Sequence, residues 1–194
     1  MTKPFIHTIL NFLFPQKCIG CGEENEIFCR ECLKRVDYPS FIKHNNIFAA
    51  TDYNDEIAKK AIWLLKYQKA KHLAEPLAEL LFLRIFKKDR PFLVEKDGPW
   101  QIIPIPLSKN KLKGRGFNQA ELIAKHLAEK ISAPMINNVL VKIKETPSQV
   151  SIKDRKERLQ NLDGVFAVKN AEKISGKNII LVDDVSTTGA TISE

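Results

Sequence analysis

Two groups of residues in this sequence have the types and the spacing to do chemistry. The first is Asp183-Asp184 and the loop that follows it, Val185-Ser186-Thr187-Thr188-Gly189-Ala190-Thr191. Adjacent carboxylates can accept hydrogen bonds from vicinal sugar hydroxyls, while Gly189 lets the backbone come close and Ser186, Thr187, Thr188 and Thr191 offer hydroxyl groups. Backbone N–H groups at a strand-to-helix turn, aided by the helix dipole, hold a phosphate well. The combination suits a phosphosugar; the plainer alternative is a strand that ends in a solvated acidic turn. No Gly-Lys-Thr/Ser triplet and no G-x-G-x-x-G spacing is present, which excludes the common nucleotide- and dinucleotide-binding loops.

The second group is Cys18, Cys21, Cys29 and Cys32, two C-x-x-C pairs that hold every cysteine of the chain. Each pair can present two thiolates from a tight turn, eased in the first by Gly20 and Gly22, so that four sulfurs close around one zinc ion. Four thiolates leave no open position for water, so the expected role is structural. Two disulfides in an exported protein are the alternative, against which stands the lack of a secretory leader.

These groups need elements to hold them. Ile179-Ile180-Leu181-Val182 has no polar alternation and reads as a parallel strand buried on both faces, with the acidic pair at its carboxyl end. Trp100 to Pro106 reads as a second buried strand, its prolines marking the end. It leads into Leu107 to Gln119, a basic, glycine-containing loop that opens a helix with Ala120, Ile123, Ala124, Leu127, Ala128 and Ile131 inward. A strand end, cations and a helix start make a second anion site, unless the lysines are only a solvated loop. Upstream, Ile47 to Ala50 reads as a strand and Asn54-Asp55-Glu56 as a helix start, with Ile57, Ala61, Ile62, Leu64 and Leu65 buried. That helix ends in Lys66-Tyr67-Gln68-Lys69, either a solvated turn or a group facing a phosphate or base, with Tyr67 as a stacking surface. A further helix carries Pro76 in its first turn and Leu77, Leu80, Leu81 and Ile85 on one face. Val139 to Ile143 and Gly164 to Val168 are strand candidates. Between them lies a polar segment, Lys144 to Asn161, in which Ser151 and Asp154 resemble a capping box ahead of Arg155, Lys156 and Arg158.

The 194 residues suffice for one sizeable core with a small appendage. Lys and Arg outnumber Asp and Glu by 31 to 23, a formal charge of +8 that favours phosphate-rich partners. Cations gather at Lys66 to Lys71, Lys109 to Arg115 and Lys153 to Arg158. With aromatic residues at 8% of the chain, any grip on nucleic acid is expected to come from the strand's backbone rather than its bases, and to compete with a bound diphosphate. The apolar run Phe5 to Phe14 is too short to span a bilayer, so no transmembrane segment and a cytoplasmic location are expected. We read it as a short amphipathic helix docking on the body, the alternative being a membrane-surface anchor.

The run from Ile179 to Thr191 resembles the phosphoribosyl-diphosphate (PRPP) signature of type I phosphoribosyltransferases. Together with the paired cysteines, Leu65-Lys66-Tyr67, Pro104-Ile105-Pro106-Leu107, Arg115-Gly116-Phe117-Asn118-Gln119-Ala120, Arg158 and Asn161, it makes nearly the whole chain resemble the ComF competence proteins. The resemblance implies an α/β fold with a mostly parallel sheet of the type I phosphoribosyltransferase kind flanked by helices. Residues 1–45 would form the N-terminal helix and zinc module and 46–194 the transferase-like domain. It also implies a helix and a strand after Thr191, about thirty residues by ordinary element lengths, that this sequence does not contain.

By the same resemblance Asp183 and Asp184 hold the ribose hydroxyls of PRPP, and Ser186, Thr187, Thr188, Gly189, Ala190 and Thr191 surround its 5′-phosphate. Ser108, Lys109 and Arg115 face the diphosphate, Mg2+ accompanies the ligand, and the segment Lys144 to Asn161 closes over it. Thr187 stands where purine-salvage members often carry an acid, so no catalytic residue is assigned. Three functions are compatible with this picture. One is PRPP binding within natural transformation, with single-stranded DNA and a helicase-like competence partner. Another is transfer of the phosphoribosyl group to a base or amine. The third is a non-catalytic platform regulated by PRPP.

Overall fold

The computed structural model describes residues 16–39, 43–44, 47–86, 100–144 and 164–186. In chain order the elements are α1 (Arg30–Arg35), β1 (Lys43–His44), β2 (Ile47–Phe48), α2 (Glu56–Tyr67), α3 (Ala74–Ile85), β3 (Trp100–Pro104), α4 (Lys109–Arg115), α5 (Gln119–Ile131), β4 (Leu140–Lys142), β5 (Phe166–Val168) and β6 (Asn178–Val182). The expected features at Phe5 to Phe14, Ser151 to Arg158 and Thr187 to Thr191 lie outside the described residues.

The two long apolar runs pair as expected. β3 and β6 are parallel, in register from Trp100 opposite Asn178 to Pro104 opposite Val182. A parallel bridge at Met135 extends the other edge of β3, where Ile102 N donates to Pro134 O and Ile136 N to Ile102 O, both at 2.9 Å. The remaining pairs, β1 with β2 and β4 with β5, are antiparallel. The fold is therefore mixed α/β with a small parallel sheet at its centre. One expectation fails here: β6 is not buried on both faces. Val182 is enclosed and Ile180 packs against the core, but Leu181, pointing the other way by strand alternation, is 37% exposed. Leu181 lines a cavity that it shares with Ile47 to Tyr53.

The helices form because their ends are capped and their apolar positions recur at helical spacing. α2 starts at Asp55, whose Oδ1 accepts from Ala58 N at 2.8 Å, and it buries Ala58, Ala61, Ile62 and Leu65. Ile57 and Leu64, expected fully inside, lie at the margins of that stripe. α3 packs on α5 through residues that include Leu77, Leu80, Ile123 and Leu127. The basic stretch expected as a loop is instead largely helical: α4 is capped by Ser108 and ends at Gly116, whose φ of 83° only glycine adopts without strain. No residue of α4 is buried, so capping rather than packing holds this turn. Asn118 then caps α5, accepting from Ala120 N at 3.1 Å and donating to Ile105 O at 2.9 Å, which fixes α5 to the end of β3.

The cysteine segment joins the same core. Cys18, Phe28, Cys29, Cys32, Leu33 and Val36 cluster with the buried faces of α2 and α3. Asp55 Oδ2 also accepts from Asp37 N at 2.9 Å, and the buried Arg84 of α3 donates to Val36 O at 2.6 Å while its guanidinium lies 3.5 Å from the Tyr38 ring centroid. Among the described residues no helix is long and apolar enough to cross a membrane.

Asp55 thus serves a helix cap and a tertiary tie with one carboxylate. Replacing it (Asp55→Ala) should cost about 2 kcal/mol in urea denaturation, more than a cap alone, because Asp37 N also loses its acceptor.

Candidate functional site

The four cysteines come together. Their sulfurs all lie within 4.8 Å of one another, with Cys21 and Cys29 Sγ 3.7 Å apart, and none of the four is bridged to another. Bonds of about 2.3 Å to a single zinc ion place tetrahedral sulfurs about 3.8 Å apart, so the cluster is compatible with such an ion after slight contraction. Cys29 N donates to Cys18 Sγ at 3.3 Å and Cys32 N to Cys29 Sγ at 3.4 Å, the donors a thiolate needs. Burial would raise the Cys18 thiol, but the N–H groups of Cys21, Cys29 and Gly20 outweigh it and bring it down to about 6. Burial and the neighbouring sulfurs push Cys32 up to about 12. A cation that binds the cluster displaces thiol protons as it does so.

Gly20 is required by space. A Cβ there would sit 2.7 Å from Cys32 Sγ and 3.2 Å from Ile57 Cδ1. The first knuckle therefore lies directly on α2, where Lys60 Nζ also donates to Ile19 O at 2.9 Å.

The second centre lies at the carboxyl ends of β3 and β6. The pairing of Pro104 with Val182, and Ile105 N donating to Val182 O at 2.9 Å, bring the two strands out at one edge. The chain after β6 carries Asp183, Asp184 and Ser186; the chain after β3 carries Ser108 and Lys109, with Arg115 one short helix away. Asp184 N donates to Asp183 Oδ1 at 2.8 Å. Lys66, from the last turn of α2, places its Nζ 2.8 Å from Asp184 Oδ2, with the two side chains 19% and 5% exposed. At that distance the ammonium neutralises the enclosed carboxylate. Burial first, and then the Asp184 carboxylate, push the Asp183 carboxyl up to about 7. An apolar-walled cavity of about 450 Å³ opens beside the pair and reaches Ile47 to Tyr53, α2 and α3.

Ser108 is buried and its hydroxyl accepts from Lys111 N at 3.5 Å as the α4 cap. Lys109 is exposed, while Arg115 is half-buried and hydrogen-bonded to Gln119. Thr187, Thr188, Gly189, Ala190 and Thr191 lie outside the described residues. Sequence reasoning left Lys66 undecided between solvent and site. Its position beside the buried Ile62 and Leu65 on the helical wheel was the available signal, since it sets the side chain on the inner flank.

An α/β protein with a four-cysteine centre and a buried acidic pair at a strand end is what this geometry defines. The sequence is 32% identical over 182 residues to competence protein F of Haemophilus influenzae, covering 91% of this chain and 75% of that protein. It is 31% identical over 185 residues to competence protein ComFC of Bacillus subtilis, covering 90% and 68%. It is 26% identical over 180 residues to DNA utilization protein YhgH of Escherichia coli O157:H7, covering 91% and 74%. The chain belongs to the ComF family of competence proteins. No family model and no solved structure matches it.

Two measurements test these centres. Elemental analysis should find about one zinc per chain, and Gly20→Ala should lose that zinc to a chelator sooner than wild type. The raised Asp183 has a clear sign in stability. The folded protein keeps a proton that the unfolded chain releases near the ordinary value of 3.8, so stability falls as pH rises from about 4 to about 7 and then levels. Melting temperatures across that window should show the decline in wild type and lose most of it in Asp183→Asn.

Proposed function

We propose that this chain is a PRPP-binding protein with a phosphoribosyltransferase-type domain, acting in natural transformation. The observation that carries the reading is the acidic pair at the carboxyl end of β6, its Asp184 held by Lys66 at 2.8 Å, beside the cation-bearing chain that leaves β3. A carboxylate has about four lone-pair sites, so one ammonium leaves acceptors that sugar hydroxyls can use. Asp183 is the immediate neighbour of Asp184 in the chain, so vicinal ribose hydroxyls can be taken by the pair. Lys66 offsets the charge of the carboxylates, which keeps the site from repelling the phosphates of the same ligand.

The chain after β3 completes the reading. It leaves the sheet beside the acidic pair and bears Lys109, Lys111, Lys113 and Arg115, cations suited to a diphosphate that arrives with Mg2+. In this scheme the four-cysteine segment is the zinc module of residues 1–45, and 46–194 the ligand-binding domain. The competence and DNA-utilization names of the relatives support a role in handling incoming DNA, in which single-stranded DNA and a helicase-like partner are the expected macromolecules.

Titration calorimetry with PRPP should give saturable binding to wild type and none to Asp183→Ala/Asp184→Ala, with circular dichroism showing the variant still folded. Equal binding by both proteins would refute the assignment. Ribose 5-phosphate should bind more weakly than PRPP, because the cations after β3 have nothing to hold.

A further inference from the structure

The outer face of α2 carries large aromatic side chains alternating with cations. Tyr53, Trp63 and Tyr67 are 50%, 50% and 60% exposed. Lys59 Nζ lies 5.8 Å from the Tyr53 ring centroid, and Lys59 and Trp63 are one helical turn apart on the same face. The Trp63 and Tyr67 rings are 6.0 Å apart at 45°. Arg115 Cζ, reaching over from α4, is 5.6 Å from the Tyr67 ring centroid. Lys59, Trp63 and Tyr67 form a stripe along the outward arc of α2, with Tyr53 just before the helix, Arg115 at its end and the exposed Glu56 within the same arc. Tyr53 and Lys59 also line the cavity beside the acidic pair, and Arg115 belongs to the cations after β3, so the stripe borders the sheet site.

We propose that this stripe is a stacking platform for single-stranded DNA. The inference rests on the DNA-handling role proposed above and assigns it a place. Exposed rings beside cations match a polymer that alternates flat apolar bases with phosphates. Neither Lys59 nor Arg115 forms an ion pair with a described carboxylate, and exposed Lys109, Lys111 and Lys113 continue the positive charge along α4. Duplex DNA does not fit. Its bases are stacked on one another and show only their edges in the grooves, whereas rings on a convex helix face need a base's flat side. Base contacts therefore matter here more than the low aromatic content of the chain suggests, because three of its rings share one face.

The test is fluorescence polarisation with a labelled oligothymidylate, on the full chain. Trp63→Ala and Tyr67→Ala should each weaken binding about tenfold while leaving the slope of log affinity against log salt unchanged, since no phosphate contact is lost. Trp63→Phe should restore most of the loss. Lys59→Ala and Arg115→Ala should instead lower that slope by about 1 each. A duplex should compete poorly. Because these side chains are exposed, melting curves of the Trp63 variants should match wild type, and Trp63→Ala should still bind PRPP in calorimetry. Wild type that binds the oligonucleotide with Trp63→Ala and Tyr67→Ala unimpaired overturns the stripe but not the role. Wild type that ignores the oligonucleotide even at about 50 mM salt overturns both, and gives the exposed rings to a protein partner.

Discussion

The main core of this chain leans on the packing of one helix. The inner face of α2, Ala58, Ala61, Ile62 and Leu65, is nearly devoid of solvent and belongs to the cluster that holds the cysteine segment, α3 and the sheet. Its small residues matter as much as its large ones, because alanines at two of four positions let neighbouring elements approach closely. The ends of the helix do the rest. Asp55 fastens the start to Asp37, Lys60 fastens the first cysteine knuckle, and Lys66 reaches the carboxylates of the strand end. A twelve-residue helix is about 18 Å long, so the sulfur cluster and the acidic pair are fixed to one rigid rod.

Much of this was legible in the residues. The C-x-x-C pairs specify a cluster because their spacing is local, and local spacing survives whatever the rest of the chain does. The two apolar runs at Trp100 and Ile179 paired because nothing else in the sequence can bury so many β-branched side chains without alternation. Helix positions were readable for the same reason. Asp55 and Asn118 are good caps, and the periodic apolar residues after them leave little choice of face.

What was not legible depends on distant partners. Burial of β6 on both faces follows from its composition, yet whether a second layer meets Leu181 is a matter of other segments. The stretch after Ser108 has a glycine and four cations, which suggest a loop; a serine cap and a glycine stop convert it to a helical turn at little cost. The pairing of Lys66 with Asp184 spans most of the chain, and no local pattern encodes it. Nor did composition show that Tyr53, Trp63 and Tyr67 share a surface, since that requires knowing which face of α2 is turned inward.

The buried acidic pair has a consequence for how a ligand meets it. Water is removed from Asp184, and largely from Asp183, when the chain folds, so part of the reorganisation that usually opposes binding to carboxylates is met during folding. The penalty appears as a less stable protein rather than as weaker association. A molecule that bound the pair would raise heat resistance, since binding to the folded state alone stabilises it. Substitutions that make the strand end more comfortable would be expected to harden the fold and blunt recognition together.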